Sequence, residues 1–221
     1  MAIEKNKKLI LKQKIKINSI QNRMAQVSID ALIKGALSGC LVSFPTDTVP
    51  ALAVQPEHSE LIFAAKQRSG DKPVILMGAT PADLWTFVTG SAAEWEIWQQ
   101  VALQYWPGAI TLVLPASECV PRTMNPTDPS TIGVRVPNCA IARKILAQTG
   151  PLATTSANRS GEPPLETMTE IEAQFPDVLT LLPSELETEL ALGIPSTVAK
   201  WTDSKWEILR QGAVKLEGTG N

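Results

Sequence analysis

Residues 131–155 have the sequence TIGVRVPNCAIARKILAQTGPLATT, in which two short apolar runs flank a longer amphipathic segment. The runs TIGVRVP and PLATT have the length and composition of strands. Between them, CAIARKILAQTG places apolar residues at helical spacing and ends at Gly150, a residue typical of helix C-termini. The stretch therefore predicts a strand, a helix and a second strand, which is the unit of an α/β domain.

The same alternation continues on both sides of this unit. Before it, we predict helices at 28–39, 59–68, 80–88 and 92–106 and strands at 40–44, 72–77 and 109–115. After it, we predict a helix at 167–175 and strands at 177–182, 196–201 and 206–211. Gly39 is a predicted C-terminal cap, and Ser59 and Thr80 are predicted N-caps. The expected fold class is α/β, with a mixed sheet flanked by helices.

Composition is that of a globular domain, with 44% hydrophobic and 19% charged residues in 221. A net charge of −2 argues against a positive potential over the whole surface that would attract nucleic acid, but it is compatible with a local basic groove. Residues 1–23 hold seven basic residues and one acidic residue. We expect residues 1–27 to form a basic, disordered arm, with contact to RNA or membrane as the alternative, and residues 215–221 to form a flexible tail.

Several function classes are disfavoured. The cysteines at 40, 119 and 139 have no metal-ligand spacing, and their odd number predicts reduced thiols in a cytoplasmic protein. His58 is the only histidine, which argues against a His-ligated zinc site and a Ser-His-Asp triad. No apolar stretch approaches 18 residues, so we expect no membrane span. The glycine-rich nucleotide motifs are absent, so ATP would have to bind through side chains and strand-end loops.

Polar and basic clusters adjoin the predicted strands. PTDT (45–48), TTSAN (154–158) and PST (195–197) supply hydroxyl donors, and NPTDPS (125–130) is a predicted loop. The basic candidates are Lys66, Arg68, Lys72, Arg135 and Arg210. Because strand ends and their loops converge in α/β proteins, we expect these groups to form an anion site.

Each cluster also has an ordinary structural interpretation. An arginine inside an apolar strand, such as Arg135, can serve a structural ion pair. Lys66 and Arg68 can stabilise the end of a helix, and TTSAN can be a turn or capping motif. A hydrolase with Ser156 as nucleophile is a weaker alternative, because the G-x-S-x-G elbow and a nearby base are absent.

In order along the chain, eight stretches resemble the YrdC-type L-threonylcarbamoyladenylate synthase family. They are FPTDTV (44–49), KQR (66–68), KP (72–73), YWPGAIT (105–111), IGVRVP (132–137), TSANRSG (155–161), PSTV (195–198) and ILRQG (208–212). The resemblance covers about residues 28–214, and we expect the C-terminal domain of longer members to be absent. It implies a YrdC-like (DHBP synthase-like) twisted sheet with a concave basic groove.

The resemblance also implies a reaction. ATP, L-threonine and bicarbonate give threonylcarbamoyl-AMP and pyrophosphate, a nucleotidyl transfer that uses Mg²⁺ with ATP. Another enzyme system then moves the threonylcarbamoyl group to the adenosine next to the anticodon of certain tRNAs, so tRNA, double-stranded RNA and that transferase complex are candidate partners. The alternative is a diverged relative that binds RNA or nucleotide without making threonylcarbamoyl-AMP.

Residue roles follow from the resemblance position by position. It implies a catalytic and phosphate-binding pair at Lys66 and Arg68. The other implied ATP contacts are Lys72, Thr131, Ser156, Asn158 and Arg210. The implied threonine contacts are Thr46, Thr48, Arg135, Thr154 and Ser196. No metal ligand is implied.

Three positions depart from the family pattern. Pro50-Ala51 replaces an aromatic residue and glycine after PTDTV, Ser69 replaces the proline after Arg68, and Met77 replaces a polar residue or histidine. Pro50 also fixes φ and removes a backbone N–H. These departures leave the amino acid specificity and the level of activity open.

Overall fold

The computed structural model describes residues 26–67, 72–186 and 191–217. An eight-stranded mixed sheet forms the centre. Its strands are β2 (Val42–Phe44), β3 (Ala51–Val54), β4 (Ile75–Met77), β5 (Ile110–Pro115), β6 (Thr131–Arg135), β7 (Leu152–Ser156), β9 (Thr197–Thr202) and β10 (Lys205–Arg210), while β1 (Gln26–Val27) and β8 (Thr180–Leu181) form a separate pair. The strand order in the large sheet is β10-β9-β5-β6-β4-β7-β3-β2. The pairs β4/β6 and β5/β9 are parallel and the others antiparallel, so the predicted mixed sheet is confirmed.

Six α-helices flank the sheet in the described part of the chain. They are α1 (Ile29–Leu37), α2 (Glu60–Lys66), α3 (Pro81–Trp85), α4 (Ala92–Tyr105), α5 (Ala140–Thr149) and α6 (Met168–Gln174). As predicted, Gly39 follows α1 with a φ of 80° and Gly150 ends α5 with a φ of 74°, conformations that a glycine adopts without a Cβ clash. None of the helices in these ranges has the length and apolar character needed to cross a bilayer.

The two faces of the sheet are covered unequally. On one face, α2, α3, α4 and α6 pack along the whole sheet in a core that includes Leu112, Val134 and Trp98. On the other face, α1 and α5 pack over β2, β3, β4 and β7 only. Because side chains alternate along a strand, the second face of β5, β6 and β9 is left open beside these helices.

All six tryptophans of the chain form one continuous series within and beside the first core. Neighbouring rings follow the order Trp106, Trp85, Trp95, Trp98, Trp201 and Trp206, with centroids 5.1 to 6.3 Å apart. The indole N–H of Trp106 donates to the Ile110 carbonyl at 3.0 Å, and that of Trp201 donates to Glu94 at 3.0 Å. The series joins α3 and α4 to the β9–β10 hairpin.

Some predicted boundaries are wrong. Gln26–Val27 forms strand β1, which pairs in parallel with β8 (Thr180–Leu181), so the domain begins before residue 28 and the predicted strand at 177–182 is shorter. The predicted arm otherwise lies outside the described residues. Leu216 is buried, and the Glu217 N–H donates to the Tyr105 hydroxyl at 2.9 Å. Residues 215–217 are therefore part of the domain rather than of a flexible tail, and 218–221 lie outside the described ranges.

The prediction of Ser59 as an N-cap is also wrong in its chemistry. Ser59 precedes α2, but it has helical backbone angles and its side chain makes no capping hydrogen bond. Its hydroxyl donates instead to the Thr123 hydroxyl at 2.8 Å, because the 3₁₀ turn Pro56–His58 leads directly into the helix.

Candidate active site

A pocket of about 530 Å³ lies on the open part of the sheet. Its floor is a row of cross-strand neighbours, Lys200, Val113, Gly133, Ile75 and Thr154, contributed by β9, β5, β6, β4 and β7. Four inter-strand steps correspond to ~19 Å, which is long enough for a nucleotide. The opposite faces of the same strands are buried in the core, so the floor is rigid.

The pocket brings together every candidate site residue that the structure describes. Its lining includes Thr46, Thr48, Lys66, Lys72, Thr131, Arg135, Thr154, Ser156, Asn158, Ser196 and Arg210. Arg68 lies outside the described residues. In the described lining, five side chains are basic and only Asp128 is acidic. The basic character expected of the whole groove stays a prediction, because residues 68–71 are not described.

Arg135 lies at one end of the pocket and is 3% exposed. Its guanidinium donates to the Gly108 carbonyl at 3.1 Å, to the Thr48 hydroxyl at 2.9 Å and to the Asp47 carboxylate at 2.6 Å. Burial lowers the pKa of Arg135, and the Asp47 carboxylate opposes that change. Val134 and Val136 face the core, as the strand period predicts. Arg135 thus forms a structural ion pair with Asp47 and also lines the pocket.

Beside Arg135, the PTDT segment forms a hydroxyl cluster. The Thr46 hydroxyl donates to the Val49 carbonyl at 2.7 Å and accepts from the Thr48 N–H at 3.2 Å. The two threonine hydroxyls are 3.0 Å apart. Since a hydroxyl has one hydrogen, the Thr48 hydroxyl must be the donor of that pair, and Arg135 then donates to it. The chain of donors fixes both threonines at the pocket wall.

Lys66 ends α2 with its side chain buried, at 3% exposure. Its ammonium donates to the Ser156 carbonyl at 2.5 Å and to the Asn158 side-chain oxygen at 3.1 Å. The Ser156 hydroxyl also donates to that oxygen, and the Asn158 amide donates to the Glu162 carbonyl at 2.6 Å. TTSAN is therefore a strand end and turn that holds a buried cation at the pocket.

A third cluster joins β5, β9 and β10. The hydroxyls of Thr111 and Ser196 are 2.9 Å apart and both are buried. Arg210 donates twice to the Ser196 carbonyl, at 2.8 and 3.1 Å, and once to its hydroxyl at 3.2 Å. Gly212 lies against the same backbone, where an added Cβ would be 2.2 Å from the Pro195 carbonyl oxygen. The absence of a side chain at Gly212 lets the segment carrying Ser196 take this position.

The loop before β6 forms the end of the pocket away from Arg135. The Asn125 amide donates to the Thr131 hydroxyl at 3.2 Å, and its oxygen accepts from the Asp128 N–H at 3.3 Å. Thr131 donates to the Asp128 carboxylate at 3.3 Å, and Ser130 donates to it as well. These bonds fix Asn125 and Asp128 at the pocket.

The polar lining residues that the sequence did not identify as site residues include Thr111, Asn125, Asp128 and Lys200. Thr111 carried a signal, since it is a polar residue inside the apolar run AITLVLP. Lys200 alternates with the buried Ala199 and Trp201, but that pattern is equally typical of a solvent-exposed face. Asn125 and Asp128 resemble ordinary turn residues.

Within the residues that the structure describes, no group of three or more histidine, cysteine or acidic side chains is placed to hold a metal ion. The pocket instead offers cations and hydroxyls to anionic groups and a fork of N–H donors to a carboxylate or phosphate. It has no histidine base in its described lining. The arrangement suits chemistry that relies on orientation and charge stabilisation.

The family model Sua5/YciO/YrdC, described as telomere recombination, matches residues 36–212. The threonylcarbamoyl-AMP synthase of Pyrococcus abyssi is 33% identical over 205 residues, which is 91% of this chain and 58% of that protein. The threonylcarbamoyl-AMP synthase of Vibrio cholerae is 35% identical over 154 residues, which is 68% of this chain and 79% of that protein. The chain thus spans little more than half the length of the archaeal relative.

Solved structures share the fold. The crystal structure of P. abyssi Sua5 complexed with L-threonine matches with a TM-score of 0.70 at 32% identity, covering 83% of this chain and 54% of that chain. The crystal structure of E. coli YciO matches with a TM-score of 0.72 at 22% identity, covering 86% of this chain and 92% of that chain. The second match is a likeness of fold alone.

Proposed function

The chain belongs to the Sua5/YciO/YrdC family, and on that premise we propose that it makes L-threonylcarbamoyl-AMP from ATP, L-threonine and bicarbonate. The family match confirms the resemblance inferred from the motifs. One observation supports the proposed reaction most strongly. Candidate residues from separate segments between Thr46 and Arg210 meet in a single pocket.

In this proposal, threonine occupies the end of the pocket formed by Arg135, Thr48 and Ser196. Three of the five N–H groups of the guanidinium are engaged by Gly108, Thr48 and Asp47, which fixes its plane. Its remaining N–H donors would take the carboxylate of threonine. Thr46, Thr48 and Thr154 would supply the polar wall around the amino acid, while Met77 would contact its apolar part.

ATP would extend from there along the sheet. Lys66, Arg68, Lys72 and Arg210 would neutralise the phosphates, and Ser156, Asn158 and Thr131 would orient the nucleotide. We propose that Mg²⁺ enters with ATP and offsets phosphate charge. Since Asp128 is the single carboxylate in the described lining, the ligands of the ion would be mainly phosphate oxygens and water.

The reaction needs no side-chain nucleophile. The amine of threonine forms a bond to carbon, either displacing water from bicarbonate or adding to CO₂ and losing a proton, and an oxygen of the resulting carbamate attacks the α-phosphorus of ATP. The bond from that phosphorus to the bridging oxygen breaks and pyrophosphate leaves. Lys66 and Arg68 would stabilise the charge that develops on the phosphates. Orientation of bound reactants would supply several kcal/mol, up to ~7–11 in ideal cases.

Pyrophosphate release tests this proposal directly. We expect release that requires ATP, threonine and bicarbonate together, with threonylcarbamoyl-AMP detected by mass spectrometry. The alternative, a nucleotide- or RNA-binding relative without synthase activity, predicts no dependence on threonine or bicarbonate. Nucleotide binding without dependent pyrophosphate release would therefore replace the synthase proposal with that alternative.

Partners and location belong to the same proposal. The product would pass to the system that modifies the adenosine next to the anticodon of tRNA, and direct contact with tRNA or double-stranded RNA is a separate expectation. We propose a cytoplasmic location, where ATP and tRNA are available. The three cysteines are free thiols in the structure, which suits a reducing compartment.

A further inference from the structure

Asp128 has the opposite charge to the rest of the pocket's charged lining. Among the described lining residues the other charged groups are Lys66, Lys72, Arg135, Lys200 and Arg210. A carboxylate repels phosphate, so Asp128 is unfavourable in a site that binds only the polyphosphate. A carboxylate at this place instead suits a part of the ligand that carries hydrogen-bond donors.

The carboxylate is held in place and still has acceptor capacity. One oxygen accepts from the Ser130 hydroxyl and the other from the Thr131 hydroxyl, while an ionised carboxylate offers about four acceptor sites. The Ser130 hydrogen bond is the main cause that lowers the pKa of Asp128, and Lys200 lowers it further. In the described part of the chain, no Lys or Arg lies within ion-pair distance of Asp128.

Its position separates it from the amino acid end. Thr131 and Arg135 are the two ends of β6, ~13 Å apart along the strand. Asp128 lies at the Thr131 end, and Ser156 lies two strands away across β4, or ~10 Å. With threonine at Arg135 and the phosphates at Lys66, the nucleoside is the part of ATP left for the region of Asp128.

We propose that Asp128 selects the nucleoside by accepting a hydrogen bond from it, either from the exocyclic amino group of adenine or from a ribose hydroxyl. This inference rests on the proposed function, because it takes ATP as the ligand of the pocket. Asn125 and Ser130 position the carboxylate through the contacts described above. Asp128 would thereby favour adenine over a base that presents an oxygen at the same place, or ribose over deoxyribose.

A panel of nucleotides tests the proposal on the unmodified protein. Binding of ATP, inosine triphosphate, 2′-deoxy-ATP and 3′-deoxy-ATP is measured by titration calorimetry with Mg²⁺ and without threonine. We expect at least one donor-deleted nucleotide to bind ~10-fold more weakly than ATP, as loss of a hydrogen bond to a charged group requires. Weaker binding of inosine triphosphate would identify the amino group of adenine as the donor. Weaker binding of a deoxy nucleotide would identify a ribose hydroxyl. Equal affinity for all four overturns the proposal.

The variant Asp128→Asn then assigns the discrimination to this residue. We expect the affinity for ATP to fall towards that of the weakened analogue, because the amide keeps one acceptor oxygen but loses the charge, while that analogue binds as before. Glu118→Gln, an exposed acid in the same β5–β6 connection, is the matched control and should keep the discrimination. Equal weakening of all nucleotides, or a change confined to the Mg²⁺ requirement, overturns the proposal. If Asp128→Asn does not fold, the panel on the unmodified protein decides.

The two proposals fail separately. Binding that discriminates among the nucleotides, without threonine-dependent pyrophosphate release, contradicts the synthase and keeps the role of Asp128. Threonine-dependent pyrophosphate release with equal binding of all four nucleotides supports the synthase proposal and contradicts the proposed role of Asp128.

Discussion

Arg135 is expected to affect stability and substrate binding together, because one guanidinium serves both. Lysine keeps the charge but cannot copy the planar fork that contacts Gly108, Thr48 and Asp47. We predict that Arg135→Lys weakens threonine binding ~10-fold or more and ATP binding less than ~3-fold. The melting temperature should fall by a few degrees, because Asp47 keeps a poorer partner. Calorimetric titrations and melting curves measure the three effects.

The control for this prediction is Arg143→Lys, an exposed arginine on α5. It should change neither binding nor melting. A lower melting temperature with unchanged threonine affinity in Arg135→Lys would show that the ion pair is only structural.

Lys66 is predicted to be essential for turnover and to contribute to folding. Lys66→Met keeps the length of the side chain and removes its ammonium, so pyrophosphate release should fall at least ~10-fold. The sequence alone predicts that the variant still folds, because a charge at a helix end contributes only ~0.3–1 kcal/mol to the free energy of unfolding. Because Lys66 is buried against Ser156 and Asn158, its loss leaves their oxygens without a hydrogen-bond donor. We expect this to lower the free energy of unfolding by ~1–3 kcal/mol.

The matched control is Lys34→Met, which removes an exposed lysine from the last turn of α1. It should keep full turnover. Arg68→Ala should lower turnover to a similar extent as Lys66→Met. Unchanged pyrophosphate release in folded Lys66→Met would remove Lys66 from the phosphate site.

For single residues, the sequence predicted which side chains belong to the site better than it predicted their contacts. Arg135 and the hydroxyls of TTSAN could be identified, since charged and polar groups in apolar strands need partners. The partners themselves could not be predicted, because Asp47 and Thr48 lie more than 80 positions from Arg135 and meet it only through the fold.

At the scale of elements, Gly212 controls how β10 and the segment before β9 fit together. An added Cβ would lie 2.2 Å from the Pro195 carbonyl oxygen and 2.4 Å from the Ser196 carbonyl carbon, so backbone must move. We predict that Gly212→Ala displaces Ser196, weakens threonine and ATP binding together and lowers the melting temperature. Titration of both ligands and a melting curve measure this.

Gly90→Ala is the comparison for Gly212→Ala. Its Cβ would lie 2.4 Å from the ring of Trp98, and neither residue lines the pocket. It should lower the melting temperature without changing ligand affinity. Intact ligand binding in Gly212→Ala would mean that the Ser196 segment tolerates the shift.

Capping boxes make two helices sensitive to acid. Glu94 accepts from the Ser91 N–H at the start of α4, and Glu170 accepts from the Thr167 hydroxyl at the start of α6. These hydrogen bonds lower the pKa of each carboxyl. A carboxyl whose pKa is lower in the folded than in the unfolded protein stabilises the fold at pH values above its unfolded-state pKa of about 4.3. This stabilisation is lost as the pH falls through the folded-state pKa.

We therefore predict that Glu94→Gln melts at a lower temperature than the unmodified protein at pH 7. The difference should close as the pH falls through the lowered folded-state pKa of Glu94, because the unmodified protein then loses the carboxylate. Melting curves between pH 7 and 3 measure this, with the exposed Glu96→Gln on the same helix as the control. A difference that stays constant with pH would contradict the capping role.

Long elements with clear periodicity were predicted well, and short ones were not. The helix at 92–106 and the strands around 110–115 and 131–135 follow their patterns closely. Strand β3 (Ala51–Val54) was missed, because its apolar run is short and follows Pro50. It is buried on both faces between β2 and β7, so no alternation marks it. β1 and β8 have two residues each, which is too few for any period.

For the whole molecule, the order of strands determines the site and is not contained in the local patterns. β4 lies between β6 and β7, so segments distant in sequence become neighbours in the pocket. Family resemblance supplied the grouping of residues that periodicity could not. The open face of β5, β6 and β9 depends on which helices cover the other strands, and that follows only from topology.

The N-terminal boundary gives a prediction at the same scale. Removal of residues 1–23 should leave the melting temperature and ATP affinity nearly unchanged, because the site residues lie further along the chain. Removal of residues 1–27 should lower the melting temperature, since it deletes the strand that pairs with Thr180–Leu181. Differential scanning calorimetry on the two truncations compares them, and a large effect of the shorter one would contradict the prediction.

The series of six tryptophans has an optical consequence. Rings this close exchange excitation energy before they emit, so light absorbed by one indole leaves from another with a different orientation. The folded protein should therefore emit strongly depolarised ultraviolet fluorescence in a viscous medium. Replacing Trp98 with phenylalanine interrupts the series at its middle and should partly restore polarisation. The protein thus carries an internal reporter of whether α4 and the β9–β10 hairpin remain in contact.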